Sequence, residues 1–168
     1  MDNDYNIRQL GSDDWQLFRE MRLRAVTEFS NYFLDNATNC AARDEAFWRD
    51  MLTNQDCAIF GLFDGDTHIG ITGAFRWKES REDTIILGMS YLVKDYRGRS
   101  LSRLFYEARI NWAKEQEGVN RILVSHREEN AASKAANQNF GFTYYETGEV
   151  TFGDGKQDIS HNYIYKLK

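Results

Sequence analysis

The stretch DYRGRSLSRLF (residues 95–105) puts Arg97, Arg99 and Arg103 around the point where a loop turns into a helix. A helix start already concentrates unpaired backbone N–H groups and partial positive charge, so three arginines there are unfavourable unless an anion sits among them. Upstream, DTIILGMSYLV (83–93) reads as a buried strand ending near Leu92. Downstream, SLSRLFYEARINWAKEQ (100–116) carries Leu101, Leu104, Phe105, Ala108 and Trp112 on one side of a helix that closes before Gly118. A strand, a tight connection through Arg97 and Gly98, and a helix starting near Ser100 bring several N–H groups to one edge of a sheet. Phosphate suits that geometry, because the helix end supplies oriented donors and the arginines add charge-assisted hydrogen bonds. A pyrophosphate would account for the whole cluster.

Working outward, YNIRQL (5–10) alternates as a first strand, and Ser12 is expected to cap a helix over 13–29 with Trp15, Phe18, Leu23 and Val26 recurring at helical spacing. Residues 31–43 show no clean period and read as an irregular connection. DEAFWRDML (44–52) forms a second helix, with Phe47, Trp48, Met51 and Leu52 expected inward. CAIFGLFD (57–64), THIGITGAFRWK (67–78) and 83–93 read as an antiparallel meander whose charged tip at 78–83 is solvated. RILVS (121–125) is a short buried strand, AASKAANQNF (131–140) a helix ending at Gly141, and the segments 142–152 and 159–167 a closing hairpin. The chain therefore reads as a single α/β domain over 1–168, of the mixed-sheet α+β kind: about seven strands, mostly antiparallel, with four helices on the faces.

The 168 residues carry a formal charge of −5, which argues against a nucleic-acid surface and makes the arginine cluster a local anion site. No apolar run approaches the roughly eighteen residues of a membrane span, and the N-terminus is acidic where a signal peptide is basic, so a soluble, cytoplasmic protein is expected. Cys40 and Cys57 have no metal-ligand spacing and read as ordinary thiols in a reducing compartment; no metal is expected.

The arginine loop resembles the signature of the GNAT superfamily of acyl-CoA-dependent N-acyltransferases: Arg or Gln, two residues, Gly, one residue, then Gly or Ala. Arg97 matches the first position, Gly98 a glycine common in the family, and Ser100 and Ser102 the two small-residue positions. A second segment, NAASKAANQNFGF (130–142), resembles the family's run from Asn through a short helix to Gly-Phe. The resemblance extends from about Tyr5 to Lys166. It implies a sheet splayed between the fourth and fifth strands, with acetyl-CoA as cosubstrate. Pyrophosphate would lie on Arg97, Gly98, Arg99, Ser100, Leu101, Ser102 and Arg103. The pantetheine arm would lie along Tyr91 and Leu92 and against Asn130, Ser133 and Asn137, pairing with a free strand edge as peptides do.

An amine attacking a thioester must lose a proton, the tetrahedral oxyanion needs a donor, and the thiolate needs a proton or hydrogen bond. The resemblance puts the oxyanion donor at a backbone N–H near Leu92. Many relatives have a Tyr seven residues after the Asn; Asn137 stands there and can donate to sulfur without delivering a proton. Some relatives place a Glu where this chain has Ser125, so Ser125 is a candidate holder of a water acting as base. His126, Tyr91, Tyr144 and Tyr145 stay open for acid or base, although His126 alternates away from Ser125 along its strand and fits a packed or surface imidazole as well. Specificity is expected in 27–36 and the closing hairpin, where Glu28, Tyr32 and Asp35 could attract a cationic amine, small or on a protein. The aromatic closing hairpin could also pair across a homodimer. An acyl-CoA sensor that binds without turnover is the alternative function, and an unrelated nucleotide would also satisfy the helix-start argument alone.

Overall fold

The computed structural model describes residues 3–76 and 82–167. Its elements in chain order are β1 (Tyr5–Gln9), α1 (Trp15–Glu28), α2 (Ala37–Ala42), α3 (Glu45–Thr53), β2 (Cys57–Asp64), β3 (Thr67–Arg76) and β4 (Thr84–Leu92), then α4 (Ser102–Glu115), β5 (Arg121–Arg127), α5 (Ala131–Asn139), β6 (Thr143–Thr151) and β7 (Gln157–Lys166). The strands form one sheet in the order β1-β2-β3-β4-β5-β7-β6. Every neighbouring pair is antiparallel except β4 and β5. The expected solvated tip lies, over 78–81, outside the described residues.

Among the described residues five α-helices stand where four were expected. The additional one, α2, spans ATNCAA and buries only Cys40, so it offers no apolar period to read; it starts because Asn36 accepts from Asn39 N–H at 2.9 Å. Ser12 does not cap α1. A short 3-10 turn over Ser12–Asp14 intervenes, and Asp14 reaches back to Gly11 N–H at 2.8 Å while Arg8 grips the same carboxylate. In α3, Trp48 and Leu52 are buried as expected, but Phe47 is 37% exposed, because Arg43 stacks over its ring at the outer edge.

One face of the sheet is covered by α1 and α3, whose Phe18, Met21, Ala25, Val26, Trp48 and Leu52 meet Ile59, Ile71 and Tyr91. On the other face α4 packs Tyr106 and Ala113 against Ala74, Ile85 and Ile122, and Leu101 and Phe105 against Leu62 and Ile69. Cys40 and Cys57 are both buried free thiols.

The β6–β7 hairpin is strapped to the loop after α1. Gly153 N–H donates to Phe33 O at 2.7 Å, and Arg127 donates to Asn31 O, Asp154 and Asp158, each at 2.7 Å. The approach at Gly153 is backbone on backbone: a Cβ there would lie 1.9 Å from Asp35 O. At the sheet's outer edge β6 is exposed nearly throughout, with Tyr144 and Tyr145 facing solvent. Among the described residues no helix is long and apolar enough to cross a membrane.

Candidate active site

The parallel pairing of β4 and β5 lasts only from Thr84–Arg121 to Ile86–Leu123. Beyond it β4 runs on to Leu92 and β5 to Arg127 with no pairing between them, so the sheet opens into a wedge. A bulge in β4 helps to open it: Gly73 faces Gly88 but Ile71 faces Tyr91, and Met89 takes up the extra residue at φ 60°. Val93 N–H bonds to Ile69 O at 2.9 Å, so by antiparallel alternation Leu92, opposite Gly70, turns its own N–H away from β3 and toward the wedge.

Past Leu92 the chain makes a 3-10 turn over Lys94–Tyr96 and enters the arginine loop. Gly98 at φ 77° and Ser100 at φ 60° both lie in the left-handed region, and the helix begins at Ser102, slightly later than expected. Ser100 is thus a serine in a conformation that glycine adopts without cost. The backbone N–H groups of residues 98–102 have no acceptor among the described residues, leaving a continuous row of donors at the start of α4.

The arginines are not all free to face that row. Arg97 turns inward: its Nε donates to Leu92 O at 2.8 Å, its Nη2 lies 2.8 Å from Glu28 Oε1, and its guanidinium stacks on Phe29 and Tyr91. Arg103 bonds Glu107 one turn along the helix, at 2.9 Å. Arg99 lies over the Tyr96 ring and donates to Asp95 O and Tyr5 Oη, both neutral acceptors. Part of the charge conflict read from the sequence is therefore relieved by glutamates, whereas Arg99 has no carboxylate within ion-pair distance among the described residues and feels Asp64 only from farther off.

Tyr91 sits on the α1 face of β4, with its hydroxyl hydrogen-bonded to Glu28 Oε2. That bond, with Arg97, holds the Glu28 carboxyl below the usual carboxylate range, while burial and the adjacent carboxylate push the Tyr91 phenol up. Both residues line a groove of about 530 Å³ with Leu23, Arg24 and Thr27 of α1. Ser125 is exposed and shares the face of β5 from which Arg127 reaches Asn31. His126 is packed: Nδ1 is 2.7 Å from Arg127 O, the ring stacks on His161, and burial lowers its pKa, so it lies on the face opposite Ser125. Asp35 is not available to attract an amine, because Arg43 and Arg22 both lie against its carboxylate. Tyr32 stacks on Phe29.

On the α4 side, Asn130 caps α5 by accepting from Ser133 N–H at 3.2 Å. Asn137 is 1% exposed; its Oδ1 accepts from the Tyr106 hydroxyl, and its Nδ2 is buried without a partner. Next to this pair lies Arg109, which sequence reading missed. Its Nε donates to Phe105 O, its Nη1 donates to Ser90 Oγ at 2.9 Å, and Ser90 in turn contacts Thr72 Oγ1 at 2.7 Å. Burial lowers the Arg109 pKa to about 10. The signal was present in the sequence: an arginine occupies an apolar stripe position, with Phe105 and Ala113 one turn to either side. The wedge thus has a donor row at its mouth, a free N–H on one strand, and against its α4 wall a polar cluster in which buried Tyr106, Asn137 and Arg109 lead to the exposed Ser90 hydroxyl.

A family model described as an acetyltransferase (GNAT) domain matches residues 5–143. Among solved structures, yncA of Salmonella typhimurium with its cofactor acetyl-CoA is 18% identical, with 99% of this chain and 95% of that one covered at a TM-score of 0.79. The ribosomal-protein-S5-alanine acetyltransferase of Vibrio fischeri is 14% identical over 96% of this chain and 92% of its own, TM-score 0.79. A ribosomal L7/L12 alpha-N-protein acetyltransferase in complex with coenzyme A is 12% identical over 99% and 96%, TM-score 0.74. No curated protein is recognisably similar in sequence.

Proposed function

From the premise that this chain belongs to the GNAT acetyltransferase family, we propose that it moves an acetyl or other short acyl group from acyl-CoA to a primary amine by direct attack in a ternary complex. The observation that carries the reading is the wedge between β4 and β5 with the row of unpaired N–H groups at 98–102 beside its mouth. A diphosphate on that row satisfies donors that otherwise have no protein partner, and Arg99 and Arg103 add charge-assisted contacts. Arg97 serves by holding the loop to Leu92 and Glu28. The pantetheine arm runs along Leu92, with Asn130, Ser133 and Asn137 on the other wall.

The amine nitrogen forms a bond to the acyl carbon, the carbon–sulfur bond breaks, and the ammonium proton leaves to water. The Leu92 N–H faces the developing oxyanion. The thiolate, with an ordinary pKa of about 8.5, departs toward the Asn137 and Tyr106 side, where a hydrogen bond suffices. Ser125 holds water on the acceptor side, and Glu28, paired with Arg97 and Tyr91 but more exposed than Asp35, borders the groove by which the ammonium enters. The exposed edge strand β6 is the surface through which two copies could pair.

The test is calorimetry of CoA binding to Arg99→Ala/Arg103→Ala, with thiol release from acetyl-CoA over an amine panel. Affinity is expected to fall at least tenfold, more at low salt than at high. Undiminished CoA affinity, or ATP competing where CoA does not bind, refutes the assignment. Tight CoA binding with no turnover on any amine supports a sensor instead.

A further inference from the structure

Opposite the α4 wall, on the α1 face, a second cavity holds donors without acceptors. Arg22 occupies the apolar stripe of α1 with Phe18, Met21, Ala25 and Val26, and is 6% exposed. Its Nη2 lies 3.9 Å from Asp35 Oδ2 and its guanidinium 4.8 Å over the Phe33 ring, while Nε and Nη1 have no acceptor among the described residues. Arg43 contacts the same Asp35 oxygen and stacks over Phe47. Beside them, Trp48 Nε1 is buried with no partner. Arg22, Arg43 and Trp48 line one cavity of about 430 Å³, whose other walls include Leu34, Met51 and Met89.

The charges do not balance. Two guanidiniums share one carboxylate, and that carboxylate also accepts from Asn36 N–H. A buried donor left unsatisfied is costly, and an unpaired buried charge more so, so a fold retains such a cluster against its own stability unless something completes it. The face of the Arg22 guanidinium is covered by Phe33, but its edge atoms need an acceptor in the plane, as a carboxylate supplies. Asp35 leaves a net positive charge for it to meet. Met89 lines this cavity and also makes the β4 bulge that borders the reaction wedge, so the two sites share a residue.

We propose that this cavity is the acceptor's carboxylate subsite, and that the acceptor is an α-amino acid with an apolar side chain. The carboxylate lies on Arg22, Arg43 and the Trp48 indole N–H, the side chain lies among Leu34, Met51 and Met89, and the amine points past the bulge into the wedge. This rests on the acetyl-transfer reading above, and names its substrate class.

The test uses leucine, methionine and phenylalanine, each beside its carboxamide. In the 15N spectrum of the protein without acetyl-CoA, the Trp48 indole resonance, assigned by its loss in Trp48→Phe, should shift with at least one free acid and stay fixed with its carboxamide. In thiol-release assays that acid should exceed its carboxamide at least tenfold in kcat/KM. Arg43→Gln should lower the acid's kcat/KM by 10- to 100-fold and bring the acid-to-carboxamide ratio toward one, with the melting temperature confirming that the variant is folded. An indole resonance unmoved by all three acids overturns the subsite, as does a resonance that moves with sodium sulfate alone or acids and carboxamides that perform equally. If the acids move the resonance but no amine is acetylated, the carboxylate subsite stands and the acetyl-transfer reading falls.

Discussion

Arg109 separates what the fold needs from what the reaction needs. It is 2% exposed and has no carboxylate partner among the described residues; its acceptors are Phe105 O and Ser90 Oγ, and the Tyr106 ring lies 4.8 Å away. Burial lowers its pKa to about 10, and at about 1.4 kcal/mol per pKa unit the charged form costs folding about 3 kcal/mol. Two hydrogen bonds to a charged donor, at Phe105 O and Ser90 Oγ, return about 1.5 kcal/mol each, while the Tyr106 contact is already contained in the pKa. The sum is close to zero. Arg109→Met removes the charge, keeps most of the stem's volume and strands no partner, since Ser90 Oγ still has Thr72 Oγ1. Urea and thermal melts should place it within about 1 kcal/mol of the parent, or about 4 °C in Tm. Arg109→Ala adds a cavity and should lose about 2–4 kcal/mol. Catalysis should respond differently: the guanidinium fixes Ser90 at the bulge bordering the wedge, so Arg109→Met should lower kcat for thiol release at least tenfold with little change in KM for acetyl-CoA. A loss above about 3 kcal/mol in the Met variant would make the guanidinium a keystone of the fold and refute this accounting; unchanged kcat would refute its role at the bulge.

Three further outcomes are expected. Burial depresses His68 to about pH 4, so the neutral ring is the folded form; its contribution is complete above the ordinary value near 6.5, erodes as pH falls from there toward 4, and is flat below. His68→Phe, which keeps the stack on Phe63, should therefore narrow the stability gap between pH 7 and 4.5 by about 2–3 kcal/mol in urea melts, and an equal gap in both proteins would contradict the assignment. Gly153→Ala should cost about 3 kcal/mol or more, because its Cβ meets the Asp35 carbonyl, whereas Gly148→Ala, with open space around it, should stay within about 1 kcal/mol. Ser100→Gly should raise Tm slightly, by relieving a left-handed non-glycine, and should retain CoA affinity in calorimetry; a loss of affinity would show that the Ser100 hydroxyl contacts the ligand.

What could be read from the chain, and what could not, divides along a physical line. The seven strands along the chain, the α4 helix to within two residues of its start and the Gly141 stop were legible because each rests on local periodicity or a terminating glycine. The wedge was implied by resemblance, but its cause, a one-residue bulge at Met89, has no sequence mark, since methionine is not a residue that advertises positive φ. The α2 helix was missed because six residues with one buried side chain carry no period. The inward turn of Arg97 depends on Glu28, far away in the chain, and long-range pairing of this kind is invisible to local reading.

The two arginines that matter most for the proposals were nonetheless marked. Arg22 and Arg109 each fall on the buried stripe of their helix, among Phe18, Ala25 and Val26 in one case and Phe105 and Ala113 in the other. A surface arginine costs a helix nothing, but one aimed into a core must be satisfied there or weaken the fold. Arg109 is satisfied within the chain; Arg22 is satisfied only in part, with Nε and Nη1 left over. That difference assigns them different work: Arg109 shapes the wall of the wedge whether or not ligand is present, whereas Arg22 is completed by what enters. Saturating carboxylate should accordingly raise the Tm of the parent and leave that of Arg22→Met unmoved, and equal shifts in both would place the anion elsewhere.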